Sequence, residues 1–302
     1  MTEMKIAYTG QPYIPYTTFE EYSERFKPFF SMRRENGIIE VKMHNLDRPE
    51  EPADWQYGIH KGWGQIFKLV GQDPENEVLI IGGTGDKYLT IGQRVDEGFT
   101  AARDRNPMEF MYENYPMYRD GSDLIYNTVF DIHIPTIGVI NGPAPGHTEF
   151  ALLMDMTIMA DTAFIQDPHF SAGYVPGDGQ HLINHYLGGY KFANHMAYMG
   201  TAVSAEKAVD LGIVNEVVEQ SKVYDRAWEM ARTIMKQPRM TRRLTHDLMR
   251  EPLRDFINRY FEAQFALEWW CACYEADPNF RENGEVGFKH MSNIADRDDI
   301  IK

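Results

Sequence analysis

Residues 135–144 read Pro135-Thr-Ile-Gly-Val-Ile-Asn-Gly-Pro-Ala144, an apolar run that ends at an Asn-Gly-Pro turn. A second run, Glu77-Val-Leu-Ile-Ile81, is equally apolar and leads into a glycine-rich turn. Continuous apolar strands are typical of a sheet covered on both faces, whereas residues 37–44 alternate as a half-buried strand does. Helical patterns separate the strands, at residues 60–70, 122–130, 146–154 and 181–198. The order of these elements predicts an α/β fold with a largely parallel sheet.

The two ends of the chain differ from this central region. Residues 1–32 are predicted to form an arm with a short helix near Thr18, and residues 222–274 are predominantly helical. Short strands are predicted at 156–160, 163–165 and 213–218, and a helix capped by Ser204 precedes the last of them. We therefore divide the chain into an N-terminal arm, a core and a C-terminal helical region, at residues 1–35, 36–220 and 221–302. Residues 91–117 lack strong periodicity and are predicted to be an excursion over a pocket.

Composition excludes several classes of partner. The 302-residue chain is 43% hydrophobic, enough for a substantial core, and carries a formal charge of −15. We therefore expect no nucleic-acid partner and no attraction to anionic membranes. The first ten residues contain no apolar run, so no signal peptide is expected, and no stretch approaches the length of a membrane span. Cys271 and Cys273 would face different ways on a helix, which makes a poor disulfide and favours a reducing cytoplasm.

A shaped loop at residues 167–180, Asp-Pro-His-Phe-Ser-Ala-Gly-Tyr-Val-Pro-Gly-Asp-Gly-Gln, carries the first candidate site residues. His169 lies between two prolines, and Asp178 lies in a Gly-Asp-Gly turn. An imidazole with a carboxylate in reach is the minimal apparatus for a general base at neutral pH. On this stretch alone, a surface loop with an incidental histidine and aspartate stays open.

Several segments resemble the crotonase (enoyl-CoA hydratase/isomerase) superfamily. They lie at residues 81–88, 135–144, 154–155, 160–164, 173–177 and 201–218. The resemblance implies a β/β/α spiral with a helical C-terminal trimerisation region, and a homotrimer or homohexamer. Two positions depart from the CoA hydratases of that superfamily, because their catalytic glutamates are replaced here by Phe150 and His169. Water addition by the usual pair of acids is therefore not expected.

The substitutions resemble the β-diketone hydrolase branch typified by 6-oxocamphor hydrolase. The similar segments lie at 54–60, 141–143, 147–149, 166–170 and 175–181. The resemblance implies hydrolysis of a carbon–carbon bond between two carbonyls by a retro-Claisen reaction, without a cofactor or metal. Such a reaction needs a base for water and hydrogen-bond donors for the oxyanion and the enolate. We expect a small-molecule, cyclic 1,3-diketone as the substrate and a keto acid as the product.

Roles are predicted on that basis. His169 takes the proton of the attacking water and Asp178 orients the ring. His147, at a predicted helix N-terminus, and Trp55, through its indole N–H, donate to the enolate oxygen. Three more residues are predicted to bind substrate: Glu268, Thr90 and Phe150. Glu149 is interpreted as a first-turn helix acid. Structural roles stay open, as a hydrogen-bonding histidine, a capping aspartate, a core tryptophan or a surface glutamate.

Two other functions stay open at this point. One is a crotonase that acts on a CoA thioester as a hydrolase, decarboxylase or hydratase/isomerase, because the backbone amides at Thr90 and His147 survive. The other is a catalytically inactive crotonase-fold protein that binds a partner. A zinc site at His181 and His185 is not expected, since the glutamate of that motif and an obvious third ligand are missing.

Overall fold

The computed structural model describes residues 14–91 and 107–274, and its centre is a six-stranded sheet. In spatial order its strands are β1 (Phe30–Glu35), β2 (Ile38–Met43), β4 (Val78–Gly83), β6 (Thr136–Ile140), β7 (Met156–Ala160) and β10 (Glu216–Val218). Two short pairs accompany it: β3 (Ala53–Asp54) with β5 (Leu89–Thr90), and β8 (Phe164–Ile165) with β9 (Val203–Ser204). In the six-stranded sheet β1 is antiparallel to β2 and the other four pairings are parallel, which confirms the predicted α/β class.

Helices occupy most of the connections between these strands. They are α1 (Phe19–Phe26), α2 (Tyr57–Gln72), α3 (Pro107–Tyr126), α4 (Glu149–Leu152), α5 (Gln180–Gly188), α6 (Tyr190–Met199), α7 (Ala205–Asp210), α8 (Val223–Ile234) and α9 (Arg239–Tyr274). The predicted helix near Thr18 is α1, and it begins with a capping box between Thr18 and Glu21. No helix of the described residues combines the length and the apolar character needed to cross a membrane.

Both faces of the sheet are buried, as the apolar strands predict. Successive residues of β4 point to opposite faces, so Val78 and Ile80 join one hydrophobic cluster while Leu79 and Ile81 join the other. The smaller cluster is closed by α8, which contributes Trp228. The larger cluster is closed by α2 and parts of α3 and α9, among other elements, and it contains the aromatic residues that surround the candidate site.

The segment predicted to be irregular between residues 91 and 117 is partly helical. Residues 92–106 lie outside the described part of the chain, and residues 107–117 form the first half of α3. The ring of Tyr118, on α3, stacks on that of Phe265, on α9, with 5.2 Å between the centroids. This packing supports a helix whose sequence has weak periodicity and an internal proline, Pro116.

Three other predicted elements are shorter than expected. The helix predicted at 146–154 is the single turn α4, because His147 has a left-handed backbone (φ 51°) that no helix can contain. The helix predicted at 181–198 is divided into α5 and α6 by Gly189, whose φ is 84°. Only residues 216–218 of the strand predicted at 213–218 pair with the sheet.

A glycine in β6 lets α4 lie directly on the sheet. A Cβ atom added to Gly138 would lie 2.2 Å from the carbonyl oxygen of Ala151, so alanine there would push α4 away. We predict that Gly138→Ala lowers the free energy of unfolding by about 1–3 kcal/mol and also lowers activity. Chemical denaturation and turnover assays measure the two effects.

Gly212→Ala is the matched control, because its φ is 73° and an added Cβ would meet no atom within 4 Å. It should lower stability through backbone strain alone, by about 1–2 kcal/mol, and leave activity unchanged. An unchanged denaturation midpoint for Gly138→Ala would contradict this account of the packing.

Candidate active site

The turn after β6 delivers His147 to the site. The side chain of Asn141 ties this turn to the end of β4, because its Oδ1 accepts from the amide of Gly83 (3.0 Å). Its Nδ2 donates to the carbonyl oxygens of Gly85 and Lys87, each at 3.0 Å. The chain then enters the left-handed backbone at His147, which turns the imidazole inward before α4 begins.

Gln180 joins this turn to the loop that carries Asp178. Its Oε1 accepts from the amide of Thr148 (3.0 Å), and its Nε2 donates to the hydroxyl of Thr148 (2.5 Å). Its own amide donates to Oδ1 of Asp178 (3.1 Å). The amide of Thr148 is therefore already bonded. It cannot serve as the outward-pointing donor that was expected at the N-terminus of the helix.

His169 is held by an aspartate two residues before it. Oδ1 of Asp167 lies 3.2 Å from the amide of His169 and 2.9 Å from its Nδ1. An ionised carboxylate only accepts hydrogen bonds, so Nδ1 carries a proton and Nε2 faces the site. Asp178 was predicted to orient this ring, but in the structure Asp167 bonds to its Nδ1 while Asp178 contacts its Nε2.

Asp178 lies between the two histidines. Its Oδ2 is 3.2 Å from Nδ1 of His147 and 3.3 Å from Nε2 of His169. The two rings are nearly perpendicular, with centroids 5.8 Å apart. All three side chains are largely withdrawn from solvent, so the contacts act with little screening.

Aromatic side chains form one wall of this cluster. The ring of Trp55 stacks on that of His147, with 3.8 Å between centroids and 19° between planes, and Phe150 stacks behind Trp55 at 5.5 Å. The backbone of Trp55 is held by Thr90, whose carbonyl oxygen accepts from its amide (2.8 Å). His60, at the end of the 54–60 segment and without a predicted role, packs edge-on against Trp55.

Glu268 reaches the same region from α9. Its Oε2 accepts from the amide of Gly177 (2.9 Å), next to Asp178 in the chain. The structure therefore brings Glu268 and Trp55 to the His147–His169–Asp178 cluster, although these residues come from distant parts of the sequence. The hydroxyl of Thr90 instead bonds to Asp54 (3.2 Å). Thr90 therefore contributes to the wall through its backbone hydrogen bond with Trp55.

A sequence model of the enoyl-CoA hydratase/isomerase family matches residues 33–268. The chain belongs to this family, the crotonases. The expected crotonase-like fold, with its long C-terminal helix, is thereby confirmed.

Relatives of this crotonase have different activities. Carnitinyl-CoA dehydratase of Salmonella paratyphi A is 32% identical over 209 residues, which cover 68% of this chain and 73% of that protein. A β-diketone hydrolase of the cyanobacterium Anabaena, solved with (S)-3-oxocyclohexyl acetic acid bound, is 29% identical; the match covers 89% of this chain and 100% of that one, with a TM-score of 0.75. An enoyl-CoA hydratase/isomerase of Mycobacterium paratuberculosis has the same fold at 22% identity, with a TM-score of 0.72 and coverage of 85% and 98%.

The charges in this crotonase site are strongly coupled. Burial alone would lower the pKa of His147, but the carboxylates of Glu149 and Asp178 outweigh it and raise this pKa to about 9. Asp178 and Asp167 raise the pKa of His169 well above its usual range, again against the effect of burial. Burial alone would raise the pKa of Asp178, but the two imidazoles outweigh it and hold this pKa well below its usual range.

Two other groups have pKa values shifted in the direction that favours their neutral forms. Burial, reinforced by the negative charge of Asp178, raises the pKa of Glu268 to about 8. Burial, reinforced by the positive charge of His147, lowers the pKa of His60 to about 4. At neutral pH the cluster therefore contains two protonated imidazoles and ionised Asp178, while Glu268 and His60 beside it are largely uncharged.

Three of these groups could also hold a metal ion. The ligand atoms of His147, His169 and Asp178 lie within 4.8 Å of one another. A metal ion needs unprotonated imidazole nitrogens, and here the carboxylates keep those nitrogens protonated at hydrogen-bond distances. The donor set therefore fits proton transfer better than metal binding. His181 and His185 do not join a group of three potential ligands in the described parts of the chain.

Removing the shared carboxylate tests this electrostatic coupling. We predict that Asp178→Asn lowers the pKa of both His147 and His169, because the anion that favours their protonated forms is lost. NMR titration of the ring protons measures both values. Asp247→Asn is the matched control, since Asp247 contacts His133 at 2.8 Å in a different part of the molecule. Unchanged pKa values at both site histidines in Asp178→Asn would contradict the geometry.

Proposed function

We propose that this protein is a cofactor-independent β-diketone hydrolase, which cleaves a cyclic 1,3-diketone to a keto acid by a retro-Claisen reaction. The supporting observation is the cluster of His147, His169 and Asp178, in a region where CoA hydratases carry paired glutamates. Paired imidazoles bridged by one aspartate can remove a proton from water and donate another to an enolate.

The reaction balances without an external reagent. Water adds to one carbonyl carbon, and its proton passes to a base. The tetrahedral adduct then expels the carbon between the two carbonyls, so the carbon–carbon bond breaks and its electron pair becomes the enolate of the second carbonyl. Protonation of the enolate carbon completes a product that is heavier than the substrate by one water.

His169 is the base in this proposal. Asp167 holds Nδ1 protonated, so Nε2 is the nitrogen that can accept the proton of water. In the resting cluster Nε2 faces ionised Asp178 and is itself protonated. The active form therefore arises when the cluster loses one proton, and Asp178 then stabilises the imidazolium that forms again when His169 takes a proton from the attacking water.

His147 and Trp55 serve the other half of the substrate. Nδ1 of His147 faces two carboxylates, and its Nε2 makes no hydrogen bond with a described residue, so Nε2–H is available to the enolate oxygen. The indole N–H of Trp55 is the second proposed donor, and Phe150 lines the same wall. Glu268, with a pKa of about 8, supplies a neutral carboxylic acid as a further hydrogen-bond donor.

The Anabaena relative suggests the substrate class. Its bound compound is a ring ketone that carries an acetic acid group. Such a keto acid is what hydrolysis of a bicyclic 1,3-diketone yields. We propose the same class for this chain, which would act in the cytoplasm as a homotrimer or homohexamer.

The second candidate is chemistry on a CoA thioester, which the identity to carnitinyl-CoA dehydratase favours. The side chains weigh against it. Phe150 and His169 occupy the positions of the hydratase glutamates, and Phe150 is fully buried and carries no group that can transfer a proton.

Incubation of the purified protein with a bicyclic 1,3-diketone, in water labelled with heavy oxygen, tests the proposal. We predict one heavy oxygen in the carboxylate of the product, without added cofactor and without loss of rate in a chelator. Carnitinyl-CoA and crotonyl-CoA are the comparison substrates. Turnover of a CoA thioester with no turnover of the diketone would contradict the proposal.

Substitution of the two histidines tests their separate roles. We predict that His169→Ala lowers kcat on the order of 100- to 10,000-fold, because the general base is lost. His147→Ala should lower it on the order of 100- to 1,000-fold, because one enolate donor is lost. Steady-state kinetics measure both, and His195→Ala, at an exposed histidine of α6, is the control. Wild-type rates in both site variants would contradict these roles.

The pH dependence of kcat/KM follows from the same cluster. Activity should rise with pH as His169 loses its proton, with a midpoint above the ordinary histidine value of about 6.5. It should fall again near pH 9, as His147 loses the proton that it donates. Because the groups are coupled, the two limbs belong to the cluster as a whole. A profile that is flat between about pH 5 and pH 10 would contradict the assignment, because the two titrations should give a bell-shaped curve in that range.

A further inference from the structure

Glu149 is a buried carboxylate that the proposed mechanism has not used. It is the first residue of α4 and only 1% exposed. Its Oε1 lies 3.3 Å from Nδ1 of His147, and its Oε2 forms no hydrogen bond with any described residue. A buried carboxylate oxygen without a partner is destabilising, so its presence calls for a functional reason. Glu149 is a first-turn acid of α4, as predicted, but the dipole of a single helical turn is too small to account for its burial.

His147 is restrained from three sides. Trp55 covers one face of its ring, while Asp178 and Glu149 both face Nδ1, at 3.2 and 3.3 Å. Loss of the Nδ1 proton would direct a lone pair at two carboxylates, which is strongly unfavourable away from water. Nδ1 therefore keeps its proton, and Nε2 is left as the nitrogen that can meet a substrate.

We propose that Glu149 is a positioning residue for the reaction: it stabilises the imidazolium form of His147, in which Nδ1–H faces the two carboxylates and Nε2–H faces the developing enolate. This inference rests on the proposed function. Asp178 alone cannot fill the role throughout the reaction, because the same oxygen also contacts Nε2 of His169. When His169 takes the proton of water, its new positive charge attracts Asp178. At the same moment negative charge develops on the enolate. Glu149 then remains as the carboxylate committed to His147.

The charges of the groups around Glu149 and His147 are consistent with these separate roles for Glu149 and Asp178. Besides Glu149, the titratable groups that act on His147 are Asp178, His169, His60 and Glu268. His60 has a lowered pKa and Glu268 a raised one, so both are largely uncharged at neutral pH.

Tyr88 also interacts with Glu149, because burial and the negative charge of Glu149 together raise the pKa of the Tyr88 hydroxyl well above its usual range. Burial and the charge of Asp178 raise the pKa of Glu149 to about 7, while His147 favours its ionised form. The attraction between Glu149 and His147 therefore favours the charged form of each residue.

Glu149→Gln tests the inference, because glutamine keeps the size and an acceptor oxygen but removes the charge. We expect kcat on a 1,3-diketone to fall on the order of 10- to 100-fold, as for other orienting partners of histidines, with little change in KM. The alkaline limb of the pH profile should move to lower pH, and the pKa of His147 measured by NMR should fall below about 9. Glu149→Asp, which restores the charge, should recover part of each effect.

Glu40→Gln is the control for loss of a buried carboxylate. Glu40 is 3% exposed on β2 and bonds to Arg33 and Trp228, away from the site. It should lower stability and leave both the pH profile and the pKa of His147 unchanged. If Glu149→Gln behaves in the same way, the inference is overturned. The NMR titration uses ligand-free protein, so it decides the role of Glu149 toward His147 even if the wild type fails to cleave a diketone.

Discussion

One carboxylate oxygen, Oδ2 of Asp178, contacts imidazole nitrogens of both His147 and His169. The surrounding structure makes that contact possible. The left-handed backbone at His147 turns one ring inward, and Asp167 fixes the other. Gln180 bonds to both loops and so keeps the aspartate between them. Because the cluster is buried, its charges interact strongly, and each group sets the protonation of the others.

The sequence was most informative where one local property decides the structure. β4 and β6 are continuous apolar runs, and they are buried parallel strands as predicted. His147, His169 and Asp178 were identified by their positions in family motifs, and the structure brings them within contact of one another.

Other features depend on contacts that a linear pattern does not contain. α3 is helical because it packs on α9, more than a hundred residues away. The predicted helix at 146–154 is cut to one turn by the backbone of a single residue, His147. The position of Asp167 in a motif does not reveal its partner, because only the folded turn brings its carboxylate to Nδ1 of His169. The position of Glu149 predicts a first-turn helix acid, and only the folded structure shows that the carboxylate is buried against His147.

Relatives of similar identity carry out different chemistry, and the structure indicates why overall identity is a weak guide here. A carnitinyl-CoA dehydratase and a β-diketone hydrolase match this chain at 32% and 29% identity. The strands and turns that define a crotonase occupy most of the matched length. The chemistry depends on a few side chains, which make up only a small part of the matched length.

We infer that the two halves of a cleaved diketone bind between His169 and His147. A crystal structure with a 3-oxocyclohexyl acetic acid bound tests this inference most directly. We expect the carboxylate of the acid to lie within hydrogen-bond distance of Nε2 of His169, and the ketone oxygen within that distance of Nε2 of His147. A ligand bound away from both rings, or an unchanged structure at saturating ligand, would contradict it.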